Sequence, residues 1–112
     1  MDELIASTPE PPYYAVVFTS LYSNDADEGY QQMAAKMLEL AAQQPGYLSV
    51  ETARGDDRLG ITVSYWQDLD SIKAWKQVTA HLDAQRRGRE SWYERYEVRI
   101  AKVEAAYGFD GS

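Results

Sequence analysis

The chain contains no cysteine, so neither a disulfide framework nor a thiolate metal site is available to it. Histidine is nearly absent as well: His81 is the sole imidazole. A lone histidine without clustered carboxylates makes a poor transition-metal site, because such metals usually take three or four protein ligands. A haem needs only one axial ligand and is not excluded by that count. No G-x-S-x-G elbow and no second histidine support a Ser-His-Asp relay. There is no G-x-G-x-x-G, and GDDRLG (Gly55 to Gly60) has the wrong spacing for a phosphate-binding loop, with no Lys-Ser/Thr pair after it. Positive charge is scarce: 11 Lys and Arg stand against 18 Asp and Glu, a net charge of −7. That balance argues against nucleic acid, whose binding needs a basic surface to displace phosphate counterions. Long apolar runs are missing too, and nothing approaches the roughly 18 apolar residues of a membrane span. The opening MDELIASTPEPP is acidic where a secretory leader is basic, so the expectation is a cytoplasmic protein.

At 112 residues the expectation is a single domain, able to bury roughly two thirds of its unfolded surface. Charge is unevenly spread. Residues 1–72 carry three Lys/Arg against twelve Asp/Glu, while residues 73–112 carry eight against six. Such an asymmetry is compatible with association of two copies or with an anionic ligand drawn to the later half; solvated helix faces are its ordinary reading.

Pro9, Pro11 and Pro12 keep residues 1–12 out of ladders and helices, which predicts a flexible arm. YYAVVFTSLY (Tyr13 to Tyr22) reads as a strand, with Ala15, Val17 and Thr19 on one face and Val16, Phe18 and Ser20 on the other. Asp25 and Glu28 resemble a capping box opening a helix with Tyr30, Met33, Ala34, Met37 and Ala41 at helical spacing, which Pro45-Gly46 ends. Tyr47 to Arg54 and Ile61 to Trp66 then form a hairpin across a polar turn, with Ile61, Val63 and Tyr65 opposite in sense to Thr62, Ser64 and Trp66. A second helix starts near Asp68 or Asp70, carries Ile72, Trp75 and Leu82 on one stripe, and is expected to run to about Tyr93. Tyr96, Val98 and Ile100 alternate with Glu97, Arg99 and Ala101 in a last strand, and residues 105–112 form a tail.

The order β-α-β-β-α-β is the split βαβ, or ferredoxin-like, pattern of an α+β fold: a four-stranded antiparallel sheet with two helices on one face. Strands apolar on both sides imply that the other face is covered too. A second copy of the same sheet is the simplest cover, giving a homodimer in the form of a dimeric α+β barrel.

Three groups of residues carry candidate chemistry. Trp66, on the face shared with Ser64 and Thr62, is placed to reach the gap between sheet and helices, where an indole offers a platform for a planar ligand; core packing is its structural alternative. His81 lies on a helix stripe with Ala74, Val78 and Gln85 and suits general-base work near neutral pH. Arg86, Arg87 and Arg89 are spaced to clamp a carboxylate or phenolate, or simply to complement a helix C-terminus.

The stretch from Ser64 to Glu104 resembles the second half of small proteins of the antibiotic biosynthesis monooxygenase (ABM) superfamily. Those proteins end a hairpin strand in Tyr or another apolar residue followed by Trp. They open the next helix with an acidic turn, then show a Trp and an H-x-x-A-Q-x-x-G-R run before an aromatic strand. Tyr65-Trp66, Trp75, His81, Ala84-Gln85, Gly88-Arg89 and Trp92-Tyr93 match in turn, and PGYLSVETARG (Pro45 to Gly55) resembles the family's second strand. The likeness covers residues 13–104, between the arm and the tail.

The resemblance implies a ferredoxin-like protomer in a dimeric barrel with a pocket between sheet and helices. It implies O₂-dependent oxidation of a small aromatic or quinol-like substrate without tightly bound metal or flavin, or else a non-catalytic barrel that binds a small molecule. Trp66 and His81 are then the candidate catalytic residues. Phe18, Ser64, Tyr65, Gln85, Arg86 and Arg89 are the candidate substrate-binding ones. A neighbouring branch binds and degrades haem, but it places its axial histidine where Gln85 stands and uses an asparagine in the first strand, where this chain has Phe18, Thr19 and Ser20. Haem is therefore the weaker expectation.

Overall fold

In the computed structural model, residues 4–22, 28–85 and 93–111 are described, apart from the side chains of residues 28–31, 33 and 81–85. The elements run β1 (Tyr13–Tyr22), α1 (Glu28–Ala42), β2 (Tyr47–Arg54), β3 (Leu59–Trp66), α2 (Leu69–Gln85) and β4 (Tyr93–Val103). They form one sheet in the order β2-β3-β1-β4, with every neighbouring pair antiparallel. This is the ferredoxin-like α+β fold that the alternation of strand and helix patterns predicts.

Two boundaries differ from expectation. β3 begins at Leu59, inside the polar turn, where Arg58 adopts a left-handed conformation (φ 72°). Its guanidinium donates to the Tyr22 carbonyl and to Glu94, both at 2.8 Å, which ties the hairpin end to β1 and β4. Tyr93, expected to close the second helix, instead opens β4. It pairs with Tyr22, and its ring contacts those of Phe18, Tyr22 and Tyr96, so sheet packing of an aromatic residue overrides the helical reading. The expected cap at Asp25 and the arginines 86, 87 and 89 lie outside the described residues.

The chain enters α2 through a tight junction. Gly46 has φ 87°, its carbonyl accepts from the Gln67 amide at 2.7 Å, and a Cβ there would overlap Ser71 Oγ. Asp68 is the cap: its Oδ1 accepts from the Ser71 amide at 2.8 Å and from Ser71 Oγ at 2.7 Å.

Register separates the two sheet faces. Tyr14 is level with Trp66 and Lys102, Val16 with Ser64 and Ile100, and Phe18 with Thr62 and Val98. These side chains share the face that carries both helices, where Ala41, Trp66 and Ile72 form the buried core with Tyr14, Val16, Tyr47 and Trp75 against it. The opposite face carries Ala15, Val17, Val63, Tyr65, Glu51 and Arg99. The N-terminal arm meets that second face at two points, the Ala6 amide at Glu51 and Thr8 Oγ1 at Tyr13 Oη. Among the described residues no helix is long and apolar enough to cross a membrane.

Candidate functional site

Trp66 ends β3 and points toward the helices, as its place in the strand predicts, but it is wholly enclosed, with 0% of its surface exposed. Tyr47 meets its ring edge-on at 5.6 Å and Trp75 stacks on it at 5.9 Å. The indole N–H donates to Ser64 Oγ at 2.8 Å, which satisfies the one polar atom that burial would otherwise strand. Both faces and the N–H are thus taken up by the protein itself. This geometry fits the core-packing alternative for Trp66: Trp66 stacks on Trp75, and Ser64 holds the Trp66 indole.

The open surface lies beside them. α1 leans on β2 and α2 on β3, so the β1–β4 half of the helix-side face is less covered. Tyr96, Val98 and Ile100 on β4 stay 54%, 49% and 52% exposed although they point to the same side as the helices. Phe18 on β1 sits in the middle of this trough, 5.3 Å from the Tyr96 ring and 5.7 Å from the Tyr93 ring. A register shift at the β1–β4 end makes Tyr22 pair with Tyr93 while Leu21 pairs with Arg95, which brings Tyr93 and Tyr96 to one side. The result is a floor of aromatic rings and branched aliphatics that offers apolar area and ring edges to a flat molecule. Among the candidates with described side chains, Phe18 lies in it. Tyr93, Tyr96, Val98 and Ile100 are not among the site residues that the sequence marks. The alternation in β4 reveals that three of them share a face, but only the register against β1 shows that it is Phe18's face.

The sequence profile of the antibiotic biosynthesis monooxygenase family matches residues 13–87. The chain belongs to this family. The uncharacterized protein YqjZ of Bacillus subtilis is 51% identical over 104 residues, covering 93% of this chain and 90% of that protein. The jasmonate monooxygenase ABM of Pyricularia oryzae is 25% identical over 95 residues, and the match takes in 83% of this chain and 44% of that protein. Crystal structures of SO0527 from Shewanella oneidensis (TM-score 0.71, 12% identity, 91% of this chain and 100% of that one) and PA3566 from Pseudomonas aeruginosa (TM-score 0.69, 13% identity, 88% and 99%) share its fold.

Of the remaining candidates in this ABM chain, Tyr65 is described in full. Tyr65 follows Ser64 in the strand and therefore faces away from the trough, so the structure does not join it to Phe18 and Ser64. Its hydroxyl donates to Glu51 Oε1 at 2.6 Å. Burial first, then the hydrogen bond and the charge of Glu51, push the Tyr65 phenol up to about 12. A phenol held protonated so firmly donates hydrogen bonds and does not act as a base near neutral pH. Burial likewise raises the Tyr47 phenol. His81 and Gln85 belong to the C-terminal part of α2, with side chains outside the described set, and Arg86 and Arg89 fall in the undescribed connection between α2 and β4.

Proposed function

We propose that this ABM protein is a monooxygenase whose substrate is a small planar phenol or quinol, bound in the trough of Phe18, Tyr96, Val98 and Ile100. The observation that carries the reading is the trough itself: half-exposed aromatic and branched side chains on the helix side of the sheet, next to the enclosed Trp66 and the partly buried Trp75 stacked on it. The name of the Pyricularia oryzae relative supports the reaction class.

The overall chemistry balances without added reductant. A phenol and O₂ give a quinone and water: one oxygen atom enters the ring, and the other leaves with two substrate hydrogens. The proposed reaction therefore calls on no flavin, haem or metal. What the protein must supply is orientation and removal of the phenolic proton, because the phenolate is the more electron-rich partner for O₂. His81 is assigned that proton, as the sole imidazole of the chain. Arg86 and Arg89 are assigned the resulting anion. The working form is a homodimer, the cover expected for a sheet whose helix-free face carries Val17, Val63 and the exposed Ile61.

The test is turnover of a panel of phenols, quinols and jasmonate under air, followed by quinone absorbance and O₂ uptake. His81→Ala is expected to lower kcat by about 100-fold or more. Phe18→Ala is expected to raise KM by roughly tenfold, the loss of one ring contact and its apolar area. An unchanged rate in His81→Ala removes His81 from the reaction. Tight binding of a panel member with no turnover makes the protein a small-molecule-binding barrel instead.

A further inference from the structure

The face of the sheet that carries no helix is divided in two by the chain's own N-terminal arm. At one end Thr8 Oγ1 meets Tyr13 Oη at 2.8 Å, and the Ala6 amide donates to Glu51 Oε2 at 2.9 Å, so the arm runs from the start of β1 across to β2. Glu51 is held in place by Tyr65, whose ring meets Tyr13 edge-on at 5.8 Å. Tyr13 and Ala15 are buried at this end. Toward the other end the face is open: Leu59 and Ile61 are each 38% exposed, and Val17 and Val63 lie between them and the strap.

Just beyond the Ala6 anchor stand Leu4 and Ile5, 86% and 81% exposed. None of the described residues covers them, and exposure so complete means that their side chains leave their own sheet rather than lie on it. We propose that Leu4 and Ile5 of each copy bury on the Leu59–Ile61 half of the second copy's sheet, making the arm a clasp within the dimer. This inference rests on the dimeric reading above.

Three observations favour a second copy as the occupant. A two-fold contact is self-complementary, and this face has a raised half and a bare half, so each copy supplies what the other lacks. Strap against strap would hold the two bare halves apart. The bare half continues onto the sheet edge, where Arg95, Glu97, Arg99 and Ala101 of β4 stay exposed. Residues 1–12 carry three acidic and no basic residues, while on the receiving face β4 sets Arg95, paired with Glu97 at 3.2 Å, and Arg99. Opposite potentials of this kind select one docking orientation over others.

The absence of native cysteine makes the test clean. Ile5→Cys and Ile61→Cys chains, carrying different affinity tags, are co-expressed and oxidised. A disulfide between differently tagged chains, formed at least tenfold faster than in a Leu38→Cys and Ile61→Cys control, is the expected result. Leu4→Asp/Ile5→Asp is expected to raise the dimer Kd by tenfold or more in sedimentation equilibrium, with far-UV circular dichroism unchanged. A dimer that forms no Ile5–Ile61 disulfide above control, and that Leu4→Asp/Ile5→Asp leaves equally tight, overturns the clasp alone. A protein that stays monomeric at all concentrations overturns the dimeric reading and the clasp together.

Discussion

Ser64 shows how one polar atom determines the value of a large apolar one. Trp66 is enclosed by Tyr47, Trp75, Ile72 and Ala41, and its N–H has one acceptor, Ser64 Oγ. Ser64→Ala removes that acceptor without opening a cavity of any size, leaving a buried donor unpaired at a cost of about 1–3 kcal/mol. Ser64→Thr keeps the hydroxyl and is expected to lose less. Urea denaturation monitored by tryptophan fluorescence measures both, and a Ser64→Ala variant as stable as the parent would mean that the indole finds another partner. The period of two in β3 makes the direction of Trp66 legible in the sequence, together with the separation of Tyr65 from it. Its complete enclosure is not legible, because the enclosing rings come from β2 and α2, and no local pattern tells how closely they approach. The same limit applies to Tyr65, which has the right identity for a catalytic helper but lies on the other face, bound to Glu51.

At the scale of elements, α2 begins where its cap dictates. The two bonds from Ser71 hold the Asp68 carboxyl below its ordinary value of 3.8. A carboxyl whose folded value is depressed contributes stability that is fully present above the unfolded value and fades as pH falls through the folded one. Asp68→Ala is therefore expected to lower Tm at pH 7, with the gap to the parent constant down to about pH 5 and closing below pH 4. A gap that persists unchanged at pH 2.5 would show that the side chain acts by packing and not by charge. Both Asp68 and Asp70 qualify as caps on sequence grounds, and only the hydrogen bonds decide. The strand starts are harder to read for a related reason. Leu59 joins β3 because Arg58 is pinned to Tyr22 and Glu94, and Tyr93 joins β4 because the rings of Phe18, Tyr22 and Tyr96 receive it. Most of these partners are distant in the chain, and a window of neighbouring residues does not contain them.

For the whole molecule, the decisive feature is that β1 is apolar on both sides, a property legible in the residues YYAVVFTSLY themselves. One side builds the core with the helices. The other presents Val17 and Val63 at adjacent positions in the middle of the helix-free face, beside the exposed Leu59 and Ile61. Burial of that face at about 25 cal/mol per Å² would far exceed the cost of association only if the fit is good, since lost translational and rotational freedom offsets several kcal/mol of it. Two consequences follow for the protein in solution. Because folding and association are linked, Tm should rise with protein concentration, as it does not for a monomer. Val17→Asp should weaken the dimer by about a thousandfold, because a carboxylate near the centre of a two-fold contact is desolvated and faces its own copy. Phe18 points to the opposite side of the same strand, so the trough would keep its ligand affinity per chain. Sedimentation velocity across a range of concentrations, paired with ligand titration, separates these effects. A Val17→Asp protein that remains a tight dimer would place the contact between copies elsewhere than on the helix-free face.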